Sequence, residues 1–449
     1  MAAGYFHRGM KDRHATCEMF VRRLPKKRRY LVALGIERVL GYLEKLCFTE
    51  DEIAYLRELP ALADAMTPAF CDYLRAFRFT GDVDAVPEGT VVFANEPLVR
   101  ISAPIIEAQI VETFLLSAIN HATMIGSKGA RVVRAAGRAG VMEFGTRRTH
   151  PDAAVDAARA AYAVGFVGTS NVEAGKRFGI PVMGTAAHIW TMAHESEEAA
   201  FENYVATFPN ASILLIDTYD TVRGAERAAR IARDKLKGVR LDSGDLLALS
   251  RAVRPVLDAA GCSSAKIVAS GDLNEYKIAA LRAAGAPIDL YGVGTDLVAS
   301  IDSPALGGVY KLVEIEQSAG KVPICKFSEG KATYPGAHQV FRFVNASGTL
   351  ARDVIALADE DPALLGEGQA EALLVERMRG GVRTGPPEGL DVVRARVAKE
   401  LPRLPAESLV LDEEPVSQER SDEPFKAVAS SRLLGLIEEV RGRVLGAAS

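Results

Sequence analysis

Cysteine is scarce: five residues in 449, Cys17, Cys47, Cys71, Cys262 and Cys325. An odd number, widely spaced and without a Cys-x-x-Cys pair, fits neither a disulfide framework nor a zinc ligand set. It reads as reduced thiols in a cytoplasmic protein. An excess of one charge is missing too, since 54 basic residues stand against 58 acidic ones for a net charge of −4. That balance argues against nucleic acid as the main partner. No long apolar run is present either. The stretch 105–119 is broken by Glu107 and Glu112, so no membrane span is expected, and the charged first fourteen residues lack the apolar core of a signal peptide. What is there is ordinary globular usage, 48% hydrophobic and 25% charged, in a chain long enough for two or three domains.

The first third reads as a mixed unit. Short strands are expected at 15–22 and 30–34, and helices at 37–46 and 49–59, the second opened by a Thr49 cap and closed before Pro60. A strand at 91–101 comes after the turn Pro87-Glu88-Gly89, and a long helix runs from Pro104 to about residue 136. From Val141 the texture becomes rhythmic. Apolar strands at 141–144, 166–168, 180–183, 213–216, 239–241, 266–269 and 288–291 alternate with alanine-rich helical stretches. Largely apolar strands of this kind indicate a parallel sheet buried on both faces.

The expected fold class is therefore α/β: an irregular TIM-like α/β barrel, with 310–315 as an eighth strand, plus a mixed α+β N-terminal domain to which the C-terminal segment returns. The domains expected are 1–138, 139–335 and 336–449. A doubly wound open sheet is the alternative, because strand count does not show closure. Beyond residue 334 the pattern weakens to strands at 339–344 and 354–357 and a basic-faced helix at 390–401. A Gly/Pro-rich connector lies at 380–389, and an acidic run at 413–423 reads as solvated surface.

Chemistry in a barrel sits at the carboxyl ends of the strands. Six strand ends here carry it: Glu143-Phe144-Gly145-Thr146-Arg147-Arg148, Gly168-Thr169-Ser170-Asn171, Gly184-Thr185-Ala186-Ala187-His188, Arg240-Leu241-Asp242-Ser243-Gly244-Asp245, Ser270-Gly271-Asp272 and Gly292-Val293-Gly294-Thr295-Asp296. Glycines let backbone amides approach phosphate, and arginines are fork-shaped donors for phosphate or carboxylate. Asp242, Asp245 and Asp272 are hard oxygen ligands for Mg²⁺ or ribose hydroxyls, and His188 is a nucleophile or proton carrier. Each piece has a bland reading. Gly-x-Gly is a common tight turn, an arginine pair is a common ion-pairing surface, and His188 beside Trp190 reads alone as a core histidine. His150 and His194 read as structural. Agreement among six strand ends outweighs these, and it points to a phosphorylated sugar.

The chain resembles the nicotinate phosphoribosyltransferases from Glu18 to about Gln339. The matching strings include Pro87-Glu88-Gly89-Thr90, Asn95-Glu96-Pro97-Leu98, Glu143-Phe144-Gly145-Thr146-Arg147-Arg148, Gly184-Thr185-x-x-His188, Arg240-Leu241-Asp242-Ser243-Gly244-Asp245 and Tyr334-Pro335-Gly336. The resemblance implies transfer of phosphoribosyl from 5-phosphoribosyl 1-diphosphate to nicotinate, with ligase-type coupling to ATP hydrolysis and Mg²⁺, in NAD salvage. It implies that ATP phosphorylates His188, that Arg240 and Thr185 contact nicotinate, and that Gly294 and Thr295 contact the phosphoribosyl substrate. Arg147, Asp242, Gly271 and Asp272 match the surrounding phosphate and ribose shell. His188, Arg240 and Asp242 are thus the catalytic candidates, no metal-ligand set is assigned, and a cytoplasmic homodimer with shared sites is implied.

Nicotinamide-using relatives resemble this chain but carry an aspartate where it has Ser170, so Ser170 is a candidate for specificity toward the acid. Quinolinate-using relatives are shorter and lack the His188 motif. A barrel-derived binding protein with a dead site is the alternative from another class. Family members also begin with Asp-x-Tyr-x-x-Thr-Met, whose tyrosine stacks on nicotinate in the neighbouring subunit. Met1-Ala2-Ala3-Gly4-Tyr5-Phe6 resembles the residues just after that stretch. The expectation is that the natural protein carries an N-terminal extension, which in-frame codons upstream of Met1 would reveal.

Overall fold

The structure is a computed structural model that describes residues 1–318, 320–411 and 425–446. The acidic run expected at 413–423 lies outside the described residues. Contacts divide the chain into two compact units, Met1–Thr123 with Ala305–Ser449, and Met124–Pro304. The cuts fall at Thr123/Met124 and Pro304/Ala305, against the sequence-based 138/139 and 335/336.

The first unit is built on a seven-stranded antiparallel sheet. Its order is Gly320–Pro323, Gly308–Gln317, His14–Val21, Pro97–Pro104, Asp82–Ala85, Val375–Arg379, Val382–Arg383. The segment 310–315 is therefore no eighth barrel strand; it pairs antiparallel with His14–Val21, Tyr310 opposite Met19. The reason lies in its pattern: Tyr310, Val313 and Ile315 are buried while Lys311, Glu314 and Glu316 are not. A strand buried on one face belongs to an antiparallel sheet rather than to a barrel wall.

The strand expected at 91–101 splits into Val91–Val92 and Pro97–Pro104. Between them Asn95 adopts φ 67° and the Glu96 carboxylate accepts the Phe93 amide at 2.9 Å, a turn that the apolar run concealed. The long helix likewise breaks into Ile105–Ile110 and Glu112–Ala136. Thr49 caps Glu50–Glu58 as expected, with Glu52 completing the box.

In the same unit a four-stranded sheet runs Ala370–Ala372, His338–Val344, Leu350–Leu357, Val428–Ala429. At its centre the fully buried Arg342 grips Asp353 through Nη2 at 2.6 Å and Nε at 3.0 Å. It also reaches Glu400 of helix Leu390–Glu400 at 2.9 Å and the Val91 carbonyl at 2.8 Å.

The second unit holds the parallel sheet: β1 (Gly140–Glu143), β2 (Gly168–Thr169), β3 (Ile213–Leu215), β4 (Gly238–Leu241), β5 (Lys266–Ala269) and β6 (Leu290–Val293). Its order is β2-β1-β6-β5-β4-β3, every pair parallel. The first strand pairs with the last, which is the circular order of a barrel and not that of a doubly wound sheet. The expected strand at 180–183 contributes only a bridge from Val182 to Thr169. Pro181 has no amide hydrogen to extend the ladder. The circle is thus open between Val182 and β3, a half-barrel. Alanine-rich helices lie close on it; in Pro151–Ala163, Ala154, Ala157, Ala158, Ala160, Ala161 and Ala163 are all buried.

Candidate active site

Strand register decides what meets at the rim. Glu143 stands level with Thr169 and Val293, and Ala269 with Leu241 and Tyr291. The residues just past each strand therefore emerge on one edge of the half-barrel.

Alternation along β4 buries Val239 and Leu241 and turns Arg240 the other way. Its guanidinium is held on three sides: Nε donates to Ser270 Oγ at 2.7 Å, Nη1 to Thr185 Oγ1 at 2.8 Å and Nη2 to Asp242 Oδ1 at 2.6 Å. The Phe144 ring lies 5.5 Å from the guanidinium carbon. The ends of β1, β4 and β5 thus converge on one cation, with Thr185 supplied by the stretch after Val182.

Burial opposes ionisation of Asp242, but the Ser270 hydroxyl and the Arg240 guanidinium overcome it and hold this carboxyl below its usual range. Its other oxygen lies 3.7 Å from His188 Nε2. His188 Nδ1 is 3.1 Å from the Thr218 hydroxyl. Asp217, next to Thr218, accepts the Asp242 amide and the Ser243 hydroxyl through Oδ2, each at 2.8 Å. Asp217 and Thr218 are absent from the sequence-based set, although they come just after the apolar strand β3 as the other candidates come after theirs. That position was the available signal.

The glycines are fixed by contact. A Cβ on Gly271, at φ 99°, would lie 2.1 Å from the Asp242 carbonyl oxygen, and one on Gly292 would meet the Phe144 ring at 2.4 Å. Asp272 takes φ 46°, and its carbonyl accepts the Lys277 ammonium at 2.8 Å. Gly294 and Thr295 start the short helix Thr295–Val298. Glu143 joins the first two strand ends, taking the Thr169 hydroxyl on one oxygen at 2.5 Å and the Gly145 amide on the other. Burial raises its pKa against those two bonds. Ser170 is tied by its amide to the Glu143 carbonyl at 3.0 Å, while the Asn171 side chain caps the next helix. Arg147 and Arg148 lie exposed in the turn Thr146–Arg148. The Asp245 carboxylate caps helix Leu246–Ala259, its Oδ1 accepting the Leu247 and Ala248 amides at 3.0 Å each.

Among the described residues, no three His, Cys, Asp or Glu side chains gather as a metal cage. A dispersed carboxylate set suits an ion carried on substrate phosphate oxygens, as Mg²⁺ commonly is, better than a dedicated site.

A parallel half-barrel with a braced guanidinium, a carboxylate, an imidazole and glycine turns on one rim defines an α/β-barrel enzyme for anionic substrates. Residues 1–120 match the nicotinate phosphoribosyltransferase N-terminal domain and residues 139–327 the nicotinate phosphoribosyltransferase family. A nicotinate phosphoribosyltransferase of Mycobacterium tuberculosis is 42% identical, over 98% of this chain and 92% of its own. One from Bacillus subtilis is 46% identical over 80% of this chain and 74% of its own. The crystal structure of human nicotinic acid phosphoribosyltransferase superposes with a TM-score of 0.85 at 28% identity, covering 98% of both chains. The chain belongs to the nicotinate phosphoribosyltransferase family. No helix among the described residues is long and apolar enough to cross a membrane.

Proposed function

We propose that this chain makes nicotinate mononucleotide and diphosphate from nicotinate and 5-phosphoribosyl 1-diphosphate, coupled to ATP hydrolysis, as a cytoplasmic homodimer in NAD salvage. The observation that carries the reading is the bracing of Arg240. Three of the five guanidinium N–H groups are spent on Ser270, Thr185 and Asp242, leaving one on each terminal nitrogen for the nicotinate carboxylate. Departure of diphosphate leaves positive charge at the anomeric carbon, and the pyridine nitrogen attacks with its own lone pair, so no general base is required. What the protein supplies is position and charge: Gly271, Asp272, Gly294 and Thr295 for ribose and phosphate, and the exposed Arg147 for the leaving diphosphate. Mg²⁺ bound on the diphosphate would neutralise charge there, with Asp242 or Asp272 as the protein oxygen.

His188 is the proposed phosphoacceptor: an imidazole nitrogen attacks the terminal phosphorus of ATP and ADP leaves. With His188→Ala, acid-labile label from radioactive ATP should vanish, and product formation should no longer be accompanied by ATP hydrolysis. Label kept by the variant would place the acceptor elsewhere. Ile189 and Tyr219, next in sequence to His188 and to its partner Thr218, and Met192, four residues beyond His188, stand 75%, 67% and 66% exposed, apolar surface that a second subunit would cover.

Product analysis with nicotinate or nicotinamide, each with and without ATP, tests the whole reading. Ser170→Asp is expected to lower kcat/KM for nicotinate about tenfold or more, because a carboxylate would face a carboxylate in a partly dehydrated pocket. An unchanged nicotinate-to-nicotinamide ratio would remove Ser170 from the ring pocket.

A further inference from the structure

One buried cluster in the second unit has no part in the chemistry above. Lys128, in helix Glu112–Ala136, is 1% exposed. Its ammonium contacts three carboxylates: Glu275 at 2.9 Å, Asp302 at 3.0 Å, and Asp296. Arg131, one turn further along, adds the Tyr276 hydroxyl at 2.8 Å and Glu275 at 3.4 Å. Burial works against the Lys128 charge, but the three carboxylates more than offset it and its pKa is raised, so the ammonium persists. Mere filling of this space would be met as well by an apolar side chain without desolvating charge.

What the cluster touches gives its purpose. Glu275 opens the helix just after Ser270-Gly271-Asp272, and Asn274 caps that helix on the Tyr276 and Lys277 amides at 3.2 and 3.0 Å. Asp296 and Asp302 lie within eight residues of the turn at Gly294-Thr295. Asn274 Nδ2 also donates to Asp296 at 3.3 Å, crossing from one strand end to the other. We infer that Lys128 is a positioning residue for the phosphoribosyl end of the site, fixing the spacing between the Gly271-Asp272 turn and the Gly294-Thr295 turn. The inference rests on the proposed phosphoribosyl transfer. Two turns that must offer amides to one substrate lose their joint grip if their separation drifts by about an ångström.

The test is Lys128→Met and Lys128→Arg, with Asp302→Asn as a milder variant, each checked for native circular dichroism before steady-state kinetics. Lys128→Met should raise KM for 5-phosphoribosyl 1-diphosphate by about 10- to 100-fold while KM for nicotinate moves less than about twofold. Lys128→Arg should recover part of the loss. Folded Lys128→Met with both constants unchanged, or with both raised alike, overturns the inference. If Lys128→Met does not fold, Asp302→Asn decides: a selective rise supports the role and an unchanged KM overturns it. A wild-type protein that makes no product from nicotinate overturns the proposed function instead. Calorimetric binding of 5-phosphoribosyl 1-diphosphate to wild type and variant would then still decide the role of Lys128.

Discussion

Arg240→Lys should lower kcat/KM for nicotinate by about 10²- to 10³-fold, with the protein still folded. A lysine keeps the charge but not the fork. The ammonium cannot hold Ser270, Thr185 and Asp242 in the directions that three guanidinium nitrogens reach while keeping a cation over the Phe144 ring. The loss should therefore extend beyond the missing carboxylate contact, because Thr185 and Asp242 are released together. Loosened Asp242 also gives up the guanidinium that helps hold its carboxyl low, so its pKa should rise toward the ordinary range and the acid limb of the pH–rate profile should move up with it. Steady-state kinetics across pH checks both effects. A loss under about tenfold with an unmoved acid limb would show that charge alone suffices at this position.

Arg342→Met should destabilise the first unit by about 3–5 kcal/mol. The guanidinium is fully buried and answers Asp353, itself 0% exposed, as well as Glu400. Glu96 lies in the same pocket: burial and the nearby Asp353 push its carboxyl well above the usual range, while Arg342 pulls it down. Removing the cation leaves these acids without compensation in a space that water does not reach. Urea unfolding should show the midpoint fall. Adding Asp353→Leu to Arg342→Met should recover part of the loss, because it is the stranded carboxylate that is costly rather than the absent arginine. A single variant as stable as wild type would mean that the pocket admits solvent.

The rhythm of the half-barrel is legible in the sequence because each strand is an apolar run ending in glycine or a charged residue, and strand ends are where a barrel places its chemistry. His188, Arg240, Asp242 and Thr185 are legible for that reason, and the structure brings those four together. The helix-capping duty of Asp245 is not, because it depends on backbone amides two and three residues ahead. Residues 310–315 pass for a barrel strand because pairing partners can be three hundred residues distant, as Ala15 and Ile315 are. The break after Val92 is hidden by apolar neighbours, since a single carboxylate, Glu96, makes the turn by accepting one amide. Asp217 follows an apolar strand as the other candidates do, but its bond to the Asp242 backbone amide is a relation that no local pattern carries.

The open edge between Val182 and β3 also bears on how such a chain can change length over evolutionary time. From there to Ile213 no ladder must be kept in step, so an insertion in the turn after helix Glu197–Thr207 changes little besides loop closure, about 0.6 kcal/mol for each doubling of the loop. One residue added inside β1 or β6, by contrast, would turn every later side chain of that strand to the opposite face. Descendants of this fold are thus freest to change length in the turn that leads into β3, beyond His188 and outside the wall that supports the chemistry.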